Sequence, residues 1–386
     1  MTIVLTGGGS GGHITPILAV AAELKRLNPE THLVYIGHKG DSLGDIPASD
    51  PNIDQVFVVR AGKFRRFHGE GLRQLLDVPT MLKNIRDALY VVIGTYQSWR
   101  LMRHIRPSVV FSRGGFVSVP VAIGAKLQGV PYITHDSDLI PSLANRLIAP
   151  WAKLHAVAYK EELYPYAADK TVTTGIPLNK YFKLVTSELQ KNYKDQLDIP
   201  HQSKLVFIIG GGLGSQEVNS AVADAVPHLL EDFKNLYVIH AAGRGNQAEL
   251  QSKYNVTVTD EDRQRLQVHD FISDVYRYSG AADIIVTRAG ATNLAEFAMQ
   301  GKACIVIPSS FLAGGHQLKN AEYLAEQGAA LVLKTDDLIA DPNRLARYIT
   351  DLLQASDKRK KLETEFAKLA QPNAAHKIAK LILEQV

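Results

Sequence analysis

The 386 residues carry a formal net charge of +4, with 46% hydrophobic and 21% charged residues, values that support a large globular core and are enough chain for two domains. A single cysteine, Cys304, excludes a disulfide framework and a cysteine zinc site and fits a reducing compartment. No run of about 18 apolar residues is present to span a bilayer, and a first strand starting at residue 2 or 3 leaves no room for a signal peptide.

Strand-like and helix-like segments alternate from end to end. In the first half, strands are predicted at 2–6, 32–36, 55–59, 108–112, 131–134 and 154–157, with helices at 17–27, 72–89, 95–105 and 117–128. In the second half, strands are predicted at 204–210, 235–241, 266–268, 283–287, 303–307 and 329–333, with helices at 216–231, 292–300 and 317–327. Cys304 falls in the apolar run 303–307 and reads as a buried strand thiol. This alternation implies βαβ units and parallel sheets, hence an α/β protein of two Rossmann-like doubly wound domains facing across a cleft. The expected division is 1–175, joined by a C-terminal helix at about 372–386, and 176–371, with the polar stretch 186–204 after the boundary.

Ligands of doubly wound sheets sit beyond the carboxyl ends of the strands, so the loops there carry the chemistry. Residues 7–12 hold five glycines in six positions, followed by His13. Thr15 is expected to cap the following helix and Pro16 to open it. Strand, glycine turn and helix start bring bare N–H groups and a helix dipole to an anion. Gly7, Gly9 and Gly12 also spell the dinucleotide fingerprint, but no carboxylate stands at the end of the second strand, which argues against a dehydrogenase. His13 adds a titratable group at the mouth of the loop, as catalytic group or anion contact. Ser112 to Pro120 repeats a strand-to-helix turn with Gly114 and Gly115 paired.

His135-Asp136-Ser137-Asp138 ends a strand; its carboxylates either do acid–base work or cap the helix near Pro141. A second glycine loop, 210–214, follows the first strand of the second half. The densest segment is 283–296. A small-residue turn after Thr287 opens a helix near Thr292 or Asn293, whose N–H groups would hold a diphosphate, and Glu296 lies one turn inside, as ribose ligand or capping-box residue. The loop from Pro308 to Gln317 follows a strand and brings His316 and Gln317 toward the same place.

Between Arg60 and Arg106 there are ten Lys or Arg against three acids, interleaved with aromatic and aliphatic residues. The alternatives are core-facing helices with a solvated basic face and a surface that docks on an anionic membrane. No nucleic-acid motif accompanies the charge, so no nucleic acid is expected as a partner.

Together these residues resemble the two-domain GT-B glycosyltransferases, and more narrowly the MurG family. The motifs that carry the resemblance run through nearly the whole chain: Gly7 to Pro16, Gly114 to Pro120, Gly175-Ile176-Pro177, Gly290-Ala291 with Glu296, and His316-Gln317 with Asn320. The resemblance implies metal-independent, inverting transfer of N-acetylglucosamine from UDP-N-acetylglucosamine, a substrate rather than a cofactor, to a muramoyl-peptide acceptor on undecaprenyl diphosphate. Gly212, Phe271, Ile272, Ala291, Thr292, Asn293, Glu296, His316 and Gln317 would hold the donor. Ser10, Gly11, Gly12, His13, Gly114 and Gly115 would hold the acceptor diphosphate. Phe64, Arg65, Arg66, Phe67, Arg73 and Leu76 would dock on the cytoplasmic leaflet of the cell membrane. His13 is the first candidate base and Asp138 the second; Asp136-Ser137-Asp138 has metal-motif spelling but lies in the acceptor half, and no metal is expected. The chain departs from the family at Phe116, at Asp136, Ser137 and Asp138, and at Asn179, Gly212 and His316. These departures keep three alternatives open: another nucleotide sugar, another lipid acceptor, or a UDP-N-acetylglucosamine 2-epimerase.

Overall fold

The computed structural model describes residues 1–8, 11–41, 43–64, 78–309 and 315–386. Its contacts divide the chain into two units, Met1–Lys180 with Gln371–Val386, and Tyr181–Ala370 apart from the loop that ends at His316.

In the first unit the chain runs β1 (Thr2–Thr6), α1 (Gly11–Leu27), β2 (His32–His38), α2 (Asp45–Ala48), β3 (Gln55–Val59), α3 (Val78–Ile105), β4 (Val109–Ser112), α4 (Ser118–Leu127), β5 (Tyr132–Asp136), α5 (Leu143–Ile148), β6 (Leu154–Val157) and β7 (Thr171–Thr173). All seven strands pair in parallel in the order β3-β2-β1-β4-β5-β6-β7. The central strands β1, β2, β4 and β5 are buried on both faces, as a sheet covered on two sides requires. Ile3, Leu5, Ile17, Val109 and Phe111 pack one face; Val4, Val34, Val110, Val121 and Tyr132 pack the other.

The second unit runs α6 (Ser187–Gln196), β8 (Lys204–Ile209), α7 (Gln216–Asp232), β9 (Leu236–Ala241), α8 (Gln247–Thr257), α9 (Asp260–Arg263), β10 (Leu266–His269), α10 (Val275–Ala281), β11 (Ile284–Thr287), α11 (Ala291–Gln300), β12 (Ala303–Val306), α12 (His316–Glu326), β13 (Leu331–Val332), α13 (Thr335–Ala340), α14 (Arg344–Gln354) and α15 (Ser356–Ala367). Its six strands are also parallel, in the order β10-β9-β8-β11-β12-β13. A last helix, α16 (Ala374–Leu383), returns to the first unit and packs on α1, with Ile378, Ala379 and Ile382 fully buried in that core. Cys304 is buried in β12, where desolvation pushes its thiol pKa up.

The expectations at the first helix and at 72–105 are corrected, and two elements that were not expected are added. Helix α1 starts at Gly11, so Thr15 is no cap; its hydroxyl donates to the Gly11 carbonyl (3.1 Å) and Pro16 lies inside the helix. A proline there leaves the carbonyl four residues back, that of Gly12, without its helical donor. Arg113 Nη2 reaches that oxygen at 3.5 Å.

The helices expected at 72–89 and 95–105 are, from Val78 onward, one helix, α3; residues 72–77 lie outside the described residues. Gly94 does not break it. A Cβ there would stand 1.8 Å from the Arg60 carbonyl oxygen, so the glycine admits a neighbouring backbone. The polar stretch 186–204 holds helix α6, which Thr186 caps. Strand β7, three residues long, had no distinct pattern.

Candidate functional site

Each sheet has one place where the strand order reverses, between β1 and β4 in the first unit and between β8 and β11 in the second. Parallel register sets Thr6 beside Ser112, Ser112 beside Thr134, and Ile209 beside Thr287, so the loops read as chemical leave their strands side by side.

In the first unit the two glycine turns are in backbone contact. A Cβ on Gly7 would lie 2.8 Å from Ile17 Cδ1, and one on Gly115, at φ +83°, would lie 2.8 Å from the Gly8 carbonyl oxygen. At Gly11, where α1 starts, a Cβ would meet nothing within 4 Å among the described residues.

His13, in the first turn of α1, is half-buried. Burial and the Arg113 charge pull its pKa down to about 4 against the opposing field of Asp138, and its ring is hydrogen-bonded to the Arg113 backbone. Its Nδ1 has no partner among the described residues. The imidazole is therefore neutral at pH 7, the form that accepts a proton. Gly12 is exposed beside it, and Ser10 lies outside the described residues.

The Asp136-Ser137-Asp138 segment divides its labour. Asp136 is buried and accepts from Tyr166 Oη (2.7 Å), Asn145 Nδ2 (2.8 Å) and the Ser142 N–H (3.3 Å). Burial raises its pKa in spite of these donors. It braces the loop ahead of α5, whose cap is Ser142, so neither aspartate is the cap itself. With both oxygens engaged, Asp136 is poorly placed to serve a metal. Asp138 is half-buried, and its charge is felt by both His13 and Arg113. His135 is fully buried, hydrogen-bonded through Nε2 to the Gly175 carbonyl (2.9 Å), and held neutral by desolvation.

Sequence reasoning gave Arg113 and Asp41 no role, and both belong to this place. Arg113 is 3% exposed and bonds Ser137 Oγ as well as Gly12; burial lowers its pKa to about 10. Asp41, three residues beyond β2, corrects the view that no carboxylate stands here: a Cβ on Gly8 would lie 3.0 Å from its Oδ2.

In the second unit α11 begins at Ala291 with Gly290 before it, and no side chain caps that end. A Cβ on Gly290 would meet nothing within 4 Å among the described residues, and Ala291, Thr292 and Asn293 form the first turn, whose N–H groups have no partner within the helix itself. Glu296 stands beyond the third helical position, which removes the capping-box reading; desolvation raises its pKa to about 8, leaving it protonated at neutral pH.

Gln317 is buried, its Oε1 accepting from the Ser309 N–H (3.0 Å) and Arg288 Nε (3.3 Å). Asn320 donates to the Ala289 carbonyl (3.1 Å) and so shapes the same turn. At the neighbouring strand end a Cβ on Gly212 would be 3.5 Å from the exposed Phe271 ring, which carries the Arg244 guanidinium 4.5 Å above it. Ile272 points into the core, leaving only its backbone for a ligand. His316 groups with the first unit rather than with Gln317.

Arg288 and Arg244 were also missed. The signal was available: Ser112-Arg113-Gly114 and Thr287-Arg288-Ala289-Gly290 both read strand end, arginine, glycine turn.

Of the expected docking residues, Phe64 is exposed, while Arg65, Arg66, Phe67, Arg73 and Leu76 lie outside the described residues. An apolar stripe does occur on α3, where Leu82, Ile85, Leu89, Val92 and Tyr96 share one helical face and are all more than half exposed. Arg60 and Arg86 stack on Tyr90 and Arg103 on Trp99, so basic groups lie along the same helix. Among the described residues no helix is long and apolar enough to cross a membrane, and no cluster of three metal-ligating side chains occurs.

Residues 3–157 match the glycosyltransferase family 28 N-terminal domain and residues 205–381 its C-terminal domain. The UDP-N-acetylglucosamine--N-acetylmuramyl-(pentapeptide) pyrophosphoryl-undecaprenol N-acetylglucosamine transferase of Natranaerobius thermophilus is 30% identical over 384 residues, 99% of each chain. The crystal structure of Acinetobacter baumannii MurG aligns over 99% of each chain with TM-score 0.70 and 22% identity. The UDP-GlcNAc 2-epimerase of Neisseria meningitidis bound to UDP-GlcNAc aligns over the whole of both chains, with TM-score 0.67 and 12% identity. The architecture is the GT-B fold of two parallel-sheet α/β units.

Proposed function

Because the chain belongs to the family of UDP-N-acetylglucosamine--N-acetylmuramyl-(pentapeptide) pyrophosphoryl-undecaprenol N-acetylglucosamine transferases, we propose that it makes the lipid-linked disaccharide of peptidoglycan synthesis. It transfers N-acetylglucosamine from UDP-N-acetylglucosamine to the muramoyl-pentapeptide carried on undecaprenyl diphosphate. The observation that carries this reading is the reach of the kinship, 99% of both chains, so that both halves of the reaction are inherited together.

The second unit takes the donor. The open start of α11 at Ala291, Thr292 and Asn293 receives the diphosphate. Glu296 meets the ribose, Gln317 the sugar, and Phe271 with the Ile272 backbone and Gly212 the uridine end. The first unit takes the acceptor diphosphate at Gly11, Gly12, Gly114 and Gly115.

As the acceptor oxygen bonds to the anomeric carbon, the bond from that carbon to the UDP oxygen breaks and the configuration inverts. His13, held neutral, accepts the acceptor proton, and Asp138 stabilises the imidazolium. The charge that gathers on UDP is met by helix N–H groups rather than by a metal ion. The stripe on α3 and the neighbouring basic groups rest on the anionic cytoplasmic face of the cell membrane.

The deciding experiment is a coupled UDP-release assay in EDTA, with and without a lipid I analogue. Acceptor-dependent release is expected. Release without acceptor favours the epimerase-like alternative, and UDP binding without release moves the search to another sugar or acceptor.

A further inference from the structure

We propose that Arg113 is the anion receptor of the first unit, and that its guanidinium makes this glycine-turn site select an acceptor bearing a diphosphate. The inference rests on the acceptor assignment above for the identity of the anion, and on this chain's own residues for the receptor.

Arg113 is the first residue after β4, on one of the two strands that flank the reversal of the sheet. It ties three loops together. Its backbone is hydrogen-bonded to His13, its Cβ lies 3.1 Å from where a Gly7 Cβ would be, and its Nη2 bonds Ser137 Oγ. Its contact with the Gly12 carbonyl is long, 3.5 Å, and exists because Pro16 cannot serve that oxygen.

A guanidinium has five N–H donors, and burying one is costly unless they are used. Here the side chain is 3% exposed and its Nε is buried with no partner among the described residues. A structural arginine such as Arg265 is different: it bonds the carbonyls of Leu230, Phe233 and Leu236 as well as Asp262. Arg113 thus has a donor in reserve beside the start of α1, a 17-residue helix. A planar fork beside a helix N-terminus matches the paired oxygens of a diphosphate. The carboxylates of Asp138 and Asp136 lie close enough for their charges to act on it and favour the charged guanidinium against its burial. The chain thus has a cation at the turn that glycines alone would leave to backbone N–H groups.

The test uses the full chain and inorganic pyrophosphate as probe, with UDP present at saturation to occupy the donor site. Titration calorimetry on Arg113→Met is expected to show pyrophosphate affinity reduced about tenfold or more, with UDP affinity within about twofold of wild type. Arg113→Lys, which restores charge without the fork, is expected to recover part of the loss. Ser137→Ala, which removes the neutral partner but keeps the cation, is expected to retain pyrophosphate binding. Equal affinity in Arg113→Met and wild type overturns the proposal. So does a loss in Ser137→Ala as large as that in Arg113→Met, since loop geometry rather than charge would then be responsible.

If Arg113→Met does not fold, arginine Nε–H spectra of the wild type decide, with Arg113→Lys identifying the resonance by its absence. A pyrophosphate-induced shift supports the assignment, and an unmoved resonance overturns it. Pyrophosphate binding that depends on Arg113 without sugar transfer would remove the lipid-acceptor reading and keep the receptor. Transfer with pyrophosphate binding indifferent to Arg113 would do the reverse.

Discussion

The two sheet reversals are built from the same parts and filled with opposite chemistry. Each has a glycine turn after one central strand, an arginine directly after the other, and a glycine at a helix start, Gly11 or Gly290, where a Cβ would meet no described atom within 4 Å. In the first unit the side chains behind the turns are ionisable and largely withdrawn from solvent, Arg113, His135 and Asp136 buried and His13 half-buried. In the second, the groups around the turn are amides and a carboxyl that keeps its proton, with Arg288 half-buried and bonded to Gln317. A site that must move a proton needs groups whose charge state can change. A site that must hold a nucleotide needs fixed donors with matched geometry. Under the proposed function, this contrast fits acid–base work in the first unit and recognition in the second.

The largest effect that would sharpen this contrast is on turnover. His13→Ala is expected to lower the transfer rate by about 10² to 10⁴, with UDP affinity unchanged; equal turnover would remove His13 as base and move attention to Asp138. Next is recognition. Glu296→Ala is expected to weaken UDP binding by about 0.5–1.5 kcal/mol in titration calorimetry, the range for a hydrogen bond between neutral groups, since the carboxyl keeps its proton; unchanged affinity would place the ribose elsewhere. Third, replacing Leu82, Leu89 and Val92 together by serine is expected to reduce co-sedimentation with anionic vesicles several-fold, with added salt acting in the same direction. Indifference to both would leave a solvated helix.

The smallest effect is on stability, and it has opposite signs in the two units. His13 resists protonation down to about pH 4, whereas the unfolded chain takes that proton near 6.5, so stability is lost as pH falls through this window. Glu296 keeps its proton up to about pH 8, whereas the unfolded chain releases it near 4.5, so stability is lost as pH rises through that window. Urea midpoints across pH 4–8 for His13→Gln and Glu296→Gln should each flatten one limb only.

The architecture was legible because buried parallel strands are apolar runs and glycine turns punctuate them. Ile3-Val4-Leu5 and Val206-Phe207-Ile208-Ile209 each lead straight into a glycine loop. Helix α6 was hidden by its composition: of its ten residues only Tyr193 and Lys194 are buried, and Lys194 gains its place by donating to the Ser203 carbonyl and Asp283. The start of α1 was misjudged because proline at a first helical turn is the commoner arrangement, and the rescue of Gly12 comes from a residue about a hundred positions away. Arg113 and Asp41 were overlooked for a related reason. Burial and proximity, which turn an ordinary charged residue into part of a site, are properties of the sheet order and not of the local pattern.

Helix α16 bears on how the chain is made. The core of the first unit includes Ile378, Ala379 and Ile382, so its earliest residues wait for its latest ones. A ribosome that has released residues 1–180 has supplied all seven strands of that sheet but left one side of α1 uncovered. Residues 181–370 contain nearly every element of the second unit and can complete it first. The unit begun first is thus completed after the second, and removing α16 should expose α1 and destabilise the first unit while sparing the second.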